Sequence, residues 1–204
     1  MSDAIYTIGH STRPLDKFIA LLKAHGIAQL ADVRSVPRSR RHPHFSMEAL
    51  SESLPQVGVT YRHFRSLGGL RKPRPDSRNT AWRHGGFRGY ADYMETPEFD
   101  SALDELLMFA GMPRGHSVAD TGGGEAPRAV INGARAFLQG EPPRTVIMCA
   151  EAVWWRCHRQ LIADALVARG VEVRHIGSPS AAPAHALRDF VHVDGDRVVY
   201  RRLI

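Results

Sequence analysis

Only two cysteines, Cys149 and Cys157, occur in 204 residues, so no disulfide framework builds this fold. Lysine is nearly as scarce: Lys17, Lys23 and Lys72 are the whole complement, and arginine supplies the rest of the positive charge. Long apolar runs are missing as well. The longest, around Ile19 and Val146, fall far short of the roughly 20 residues that span a bilayer. Met1-Ser2-Asp3-Ala4 lacks the basic-then-apolar order of a signal peptide. These absences exclude a disulfide scaffold and a helical membrane protein, and make the cytoplasm the expected location. Acid is missing from one stretch. Residues 34–88 hold 12 of the 27 basic residues against Glu48, Glu52 and Asp76, a net +9, while the rest of the chain nets −3. Planar guanidinium forks clustered in this way suit phosphate and carboxylate recognition.

With 43% hydrophobic content the chain can bury a core as one domain over 1–204. Residues 4–9 read as a short buried strand ending at a glycine. Leu15, Phe18, Ile19 and Leu22 recur at helical spacing before Gly26, and 27–33 is a second strand. Ser46 can cap a short helix that Pro55 ends, and 59–64 is a third strand. Residues 65–90 show no sustained period and are expected to be an extended basic loop. Thr96-Pro97-Glu98 opens a helix, and 111–127 is glycine-rich, with a weaker helix expected over 128–139. Residues 145–150 and 171–176 are the fourth and fifth strands, flanking a helix that carries Leu161, Ile162, Ala165 and Leu166. Asp194-Gly195-Asp196 predicts a C-terminal hairpin turn. The alternation implies an α/β fold: a mostly parallel central sheet, helices on both faces, and a C-terminal β-hairpin.

Ligands of such sheets bind beyond the carboxyl ends of the strands. Those ends carry His10-Ser11, Asp32-Val33-Arg34, His63, Cys149-Ala150-Glu151 and His175. An acid, a base, a thiol and a cation therefore share one edge. The first, second and fourth strands are continuously apolar and belong in the sheet centre, so His10, Asp32 and Glu151 are expected to converge on one cleft, with Trp154–His158 as a wall and the basic loop over or beside it. Glu151 to Arg159 joins a strand to a helix, where helix-start amides with Arg156, His158 and Arg159 would attract an anion. A phosphatase-type loop would need arginine six positions after Cys149, where Trp155 stands. The Cys-x7-Cys-His spacing lacks a zinc-knuckle pair, so no metal is expected from it. Cys149 fits inert packing in a buried strand, and Cys157, expected within the following helix near its N-terminus, has a setting that lowers a thiol pKa.

Taken together, Thr7-Ile8-Gly9-His10-Ser11, Asp32-Val33-Arg34-Ser35-Val36-Pro37 and Cys149-Ala150-Glu151 with Cys157-His158-Arg159 resemble domain-of-unknown-function family 488. Tyr61, Leu67-Gly68-Gly69, Gly89-Tyr90-Ala91 with Met94, and His175-Ile176 extend the likeness. The resemblance implies that His10, Asp32, Arg34, Glu151, Cys157, His158 and Arg159 form one constellation, and it assigns them no roles. Ala152-Val153-Trp154-Trp155 departs from the more polar, proline-bearing stretch expected before Cys-His-Arg, and 111–143 is longer than a minimal member requires.

The leading expectation is an enzyme or enzyme-like domain acting on a phosphate-bearing substrate, a nucleotide or nucleic-acid component. His10, Asp32, Glu151 and Cys157 are the catalytic candidates; Ser11, Arg34, Arg38, Tyr61, Arg156, His158 and Arg159 are the binding candidates. Two other readings stand beside it: a nucleic-acid-binding module, in which the arginines and aromatics of 61–90 contact single strands, and a thiol redox protein built on the two cysteines. The partner is an anionic small molecule or nucleic acid, with no membrane. The sequence identifies no cofactor and no oligomeric state.

Overall fold

A computed structural model describes residues 4–38, 41–112 and 142–201. The strands β1 (Ala4–Gly9), β2 (Gln29–Asp32), β3 (Thr60–His63), β4 (Thr145–Cys149) and β5 (Glu172–His175) form one sheet in the order β3-β2-β4-β1-β5. Every pairing in it is parallel. The three central strands are β2, β4 and β1, those whose sequences are most continuously apolar. β4 is buried at all five positions. The antiparallel hairpin of β6 (Val191–Asp194) and β7 (Arg197–Tyr200) closes the described chain, with Asp194 paired to Arg197.

Helices cover both faces. On one, α1 (Leu15–Ala24) and α2 (Met47–Ser53) lay Phe18, Leu21, Leu22 and Leu50 on Ile8, Leu30, Val146 and Met148. On the other, α3 (Gly85–Tyr93), α4 (Pro97–Phe109) and α5 (Arg159–Ala168) pack Tyr90, Phe99, Leu103 and Leu161 against Ile5, Ala31 and Ile147. The caps follow the sequence: Ser46 accepts from the Ala49 amide at 3.1 Å, and Thr96 from the Phe99 amide at 3.4 Å. Each satisfies one of the four orphan amides at a helix start.

Two expectations change. Residues 65–90 are not loop throughout. Residues 85–93 form α3, whose two leading glycines hide its period, while Tyr90 and Ala91 are buried. Cys157 is not within the helix, because α5 begins at Arg159 and 154–156 form a separate 3-10 turn. The expected helix at 128–139, and most of the glycine-rich 111–127, lie outside the described residues.

The connections matter for function. β1 leads into α1 on one face, and its neighbour β4 leads into α5 on the other. Adjacent strands whose connections diverge in this way leave a crevice at their carboxyl ends. The crevice depends on Gly9. A Cβ there would meet the Glu151 carbonyl oxygen at 1.9 Å, and backbone cannot swing aside. Gly9→Ala is therefore expected to cost about 3 kcal/mol or more, as overpacking against fixed backbone does, measurable as a lowered urea midpoint.

Candidate functional site

The crevice between β1 and β4 opens into a pocket of about 370 Å³, within the range of small-molecule sites. Its walls are His10, Ser11 and Thr12 after β1, Arg34, Val36 and Arg38 after β2, His42, and Ala150-Glu151-Ala152 after β4. Ser11 takes a left-handed conformation, φ 52°, and its amide donates to the Ala150 carbonyl at 2.9 Å, tying two walls together.

Arg34 forms the inner wall and is 5% exposed. Its Nε and Nη2 donate to the two oxygens of Asp32 at 2.8 and 2.5 Å, the bidentate geometry of a strong pair. Tyr61 donates its hydroxyl to the same carboxylate at 2.8 Å. Burial works against the charge on Arg34, but the hydrogen bonds and charge of Asp32 outweigh it and raise its pKa. Burial, then the neighbouring Asp32 charge, raises the Tyr61 pKa. Asp32 is wholly buried and does not line the pocket. It fixes Arg34 from behind.

The remaining nitrogen of Arg34, Nη1, lies 3.3 Å from His10 Nε2. His10 Nδ1 lies 2.9 Å from the Ser11 carbonyl, which can only accept. Nδ1 therefore carries the proton, and Nε2 presents a lone pair to the guanidinium. Burial, with the Arg34 charge, lowers the His10 pKa to about 4 against the pull of the Ser11 hydrogen bond and Asp32. Phe45 stacks on the ring at 4.3 Å and holds its plane.

Beside this pocket lies a second cluster. Cys149 Sγ and Cys157 Sγ stand 3.9 and 3.6 Å from His158 Nδ1, and the three atoms lie within 4.8 Å of one another. His158 Nε2 lies 3.0 Å from the Val33 carbonyl, which assigns that nitrogen the proton. The hydrogen bond from Cys149 lowers the Cys157 pKa against the effect of burial, with help from His158 and Arg159. The same pairing, then burial, raises that of Cys149.

The Asp32–Arg34, Cys149–Glu151 and Cys157–Arg159 stretches supply much of the pocket and the cluster. The family model described as Domain of unknown function DUF488 matches residues 14–113 and 125–166. The chain belongs to this family. No curated protein and no solved structure matches it. The DUF488 match spans Asp32, Arg34, Tyr61 and the Cys149–Arg159 stretch, whereas His10 and Ser11 stand just before it and His175 beyond it.

The other candidate residues of this DUF488 chain divide clearly. Glu151 and Arg38 are exposed on the pocket rim. Arg159 is 1% exposed and donates to the Glu151 carbonyl and, at 3.4 Å, to Thr7 Oγ1, so it holds the loop that forms the wall. Arg156 is exposed and outside the lining. The basic segment 65–88 contributes no lining residue. Arg74 and Arg78 pair with Glu95, and Phe64, Trp82 and Tyr90 belong to the core rather than to an open stacking platform. Gly69 from this segment lies instead against His158.

Sequence reasoning missed His42, which the Arg41-His42-Pro43-His44 run could have flagged, and a buried polar chain behind the site. Tyr200 donates to Asp164 at 2.9 Å, and His185 Nε2 meets the other Asp164 oxygen at 2.7 Å. His185 Nδ1 lies 2.9 Å from His175 Nε2, and His175 Nδ1 lies 2.8 Å from Thr7 Oγ1. Because a carboxylate accepts, His185 carries its proton on Nε2. His175 then donates from Nε2 and accepts from Thr7. Trp154 stacks on His175 at 4.0 Å, so this chain braces the 154–156 turn from below. No sequence period announces it, since its members lie on five separate segments.

Proposed function

We propose that this chain is an enzyme that binds a phosphate-bearing small molecule in the pocket between β1 and β4 and carries out proton-transfer chemistry on it. The observation that supports this most is Arg34: a buried guanidinium locked by Asp32 with its third nitrogen turned to a pocket wall. Such a group is already desolvated and oriented, so little reorganisation opposes its use. Arg38 adds a second cation at the rim. An oxyanion that accepts from Arg34 Nη1 would displace that contact from His10 Nε2 and free the lone pair. The bound negative charge would also raise the His10 pKa from its low value. His10 would then accept a proton from a hydroxyl or water beside the anion, within reach of a general base. His10 then hands that proton to the leaving group or to solvent, and Glu151 lines the rim beside them. In this reading Cys157 is not the nucleophile, because it does not line the pocket.

Titration with inorganic phosphate, nucleoside monophosphates and sugar phosphates, followed by amide chemical shifts, tests the reading. Binding at low millimolar or tighter concentration should perturb Ser11, Arg34 and Glu151. Arg38→Ala, an exposed substitution that leaves the Asp32 pair intact, should weaken it about tenfold, the worth of one charge-assisted hydrogen bond. If no phosphate ester binds at low salt, or if Arg38→Ala leaves affinity unchanged, the reading fails.

A further inference from the structure

Cys149 ends a central strand, Cys157 follows the 3-10 turn, and His158 stands just before α5, yet their donor atoms meet in one place. We propose that Cys149, Cys157 and His158 form a binding site for one thiophilic closed-shell divalent cation, Zn²⁺ being the ion of that class. Two sulfurs and an imidazole nitrogen are the donor set that such an ion prefers. With Zn–S near 2.3 Å and Zn–N near 2.05 Å, the edges of a tetrahedral site are about 3.6 Å for S–N and about 3.8 Å for S–S. The S–N separations of 3.6 and 3.9 Å match to within a few tenths of an ångström, and the sulfurs, within 4.8 Å of each other, need close by no more than about 1 Å to meet the S–S edge.

Two further features point the same way. His158 donates from Nε2 to the Val33 carbonyl at 3.0 Å, which turns Nδ1 toward the sulfurs and fixes the tautomer, as the outer partners of ligating histidines do. Position 69 is glycine, and a Cβ there would lie 3.1 Å from Nδ1, so the approach to the donor atom stays clear. Among the described residues no fourth His, Cys, Asp or Glu joins the group. Three protein donors leave the fourth position to water or a ligand, as in open zinc sites. On binding, two S–Zn bonds form and any proton held on either sulfur passes to solvent, so affinity does not fall as pH rises. The spacing in sequence concealed the site because the fold, not a knuckle, brings the cysteines together. The site shares no residue with the phosphate pocket, and either can fail alone.

The test uses the full chain, reduced with a phosphine, stripped with a chelator and loaded with equimolar Zn²⁺. Native mass spectrometry should show one ion per chain. Co²⁺ in its place should give tetrahedral visible bands with thiolate charge transfer, absent in Cys149→Ser and Cys157→Ser. His158→Gln should weaken affinity at least about tenfold. Because a cysteine variant in the core can fail to fold, alkylation of the unaltered protein is the second measurement. Zn²⁺ should slow modification of both cysteines about tenfold or more, as ligation removes both nucleophiles. Retention of no ion with alkylation rates unaffected by Zn²⁺ would overturn the proposal. So would equal retention by the folded Cys149→Ser/Cys157→Ser double variant.

Discussion

Replacing Asp32 by alanine should destabilise the fold by about 3–5 kcal/mol, the cost of stranding one partner of a buried ion pair. Arg34 is 5% exposed and Asp32 fully buried, so water cannot take over the lost contacts. The change removes both acceptors of the Arg34 fork and the acceptor of the Tyr61 hydroxyl together. Tyr61→Phe removes one hydrogen bond at a half-buried edge and should cost only about 1 kcal/mol. The double variant Asp32→Ala/Arg34→Met should recover much of the loss, because no charge is then buried without a partner. Urea unfolding with unchanged slope measures all three. If Asp32→Ala costs less than Tyr61→Phe, another group balances Arg34, and the account of a guanidinium fixed from behind is wrong. Excess phosphate should partly restore the Asp32→Ala protein if the pocket binds anions, since a ligand of the native state stabilises by mass action.

The sheet was legible because its central strands are apolar throughout, a pattern that only burial on both faces explains. Once the strands are parallel, their carboxyl ends share an edge, and His10, Arg34 and Glu151 fall around one pocket as the chain order implies. Roles were less legible than places. Asp32 and Glu151 look alike in sequence, each an acid after a strand. Asp32 is sealed behind Arg34, while Glu151 is exposed at the rim, and that difference depends on residues 34–38, 41–46 and 150–157. Arg159 likewise reads as an anion ligand in the Cys-His-Arg run, and in the fold its Nη1 and Nη2 donate to Thr7 and the Glu151 backbone. The basic stretch is partly offset in a way its own sequence does not show: Glu95 lies outside residues 34–88 and pairs with Arg74 and Arg78 only after folding. α3 escaped notice because Gly85 and Gly86 lower helix propensity where the helix begins, and tertiary burial of Tyr90 overrides them.

Acid should unfold this protein before most of its carboxylates titrate, because two buried histidines are held neutral. Burial first, then the charge of Arg34, lowers the His10 pKa to about 4. Burial first, then His185 and Arg159, lowers that of His175 to about 3. Both would titrate near 6.5 in the unfolded chain. Between those values the unfolded state binds more protons than the folded one, so stability rises with pH through the window. The contribution is complete above about pH 6.5. It is lost as pH falls toward about 4 for His10 and about 3 for His175. Each histidine therefore withdraws stability as pH falls through its window, and the two effects act in the same direction. The groups facing them do not reverse the sign: Asp32 is engaged by Arg34 and Tyr61, and Asp164 by His185 and Tyr200. Urea midpoints for the unaltered protein should fall steadily from pH 7 to pH 5. His175→Gln should lower stability at pH 7, where the Thr7 and His185 contacts are perturbed, yet flatten the dependence below it. His10→Gln should flatten it independently, because its ring meets Arg34 and not the Asp164 chain. Stability constant between pH 7 and pH 5 would mean that these histidines accept protons in the folded state at no cost, and the tautomers assigned to His10 and His175 would both have to be abandoned.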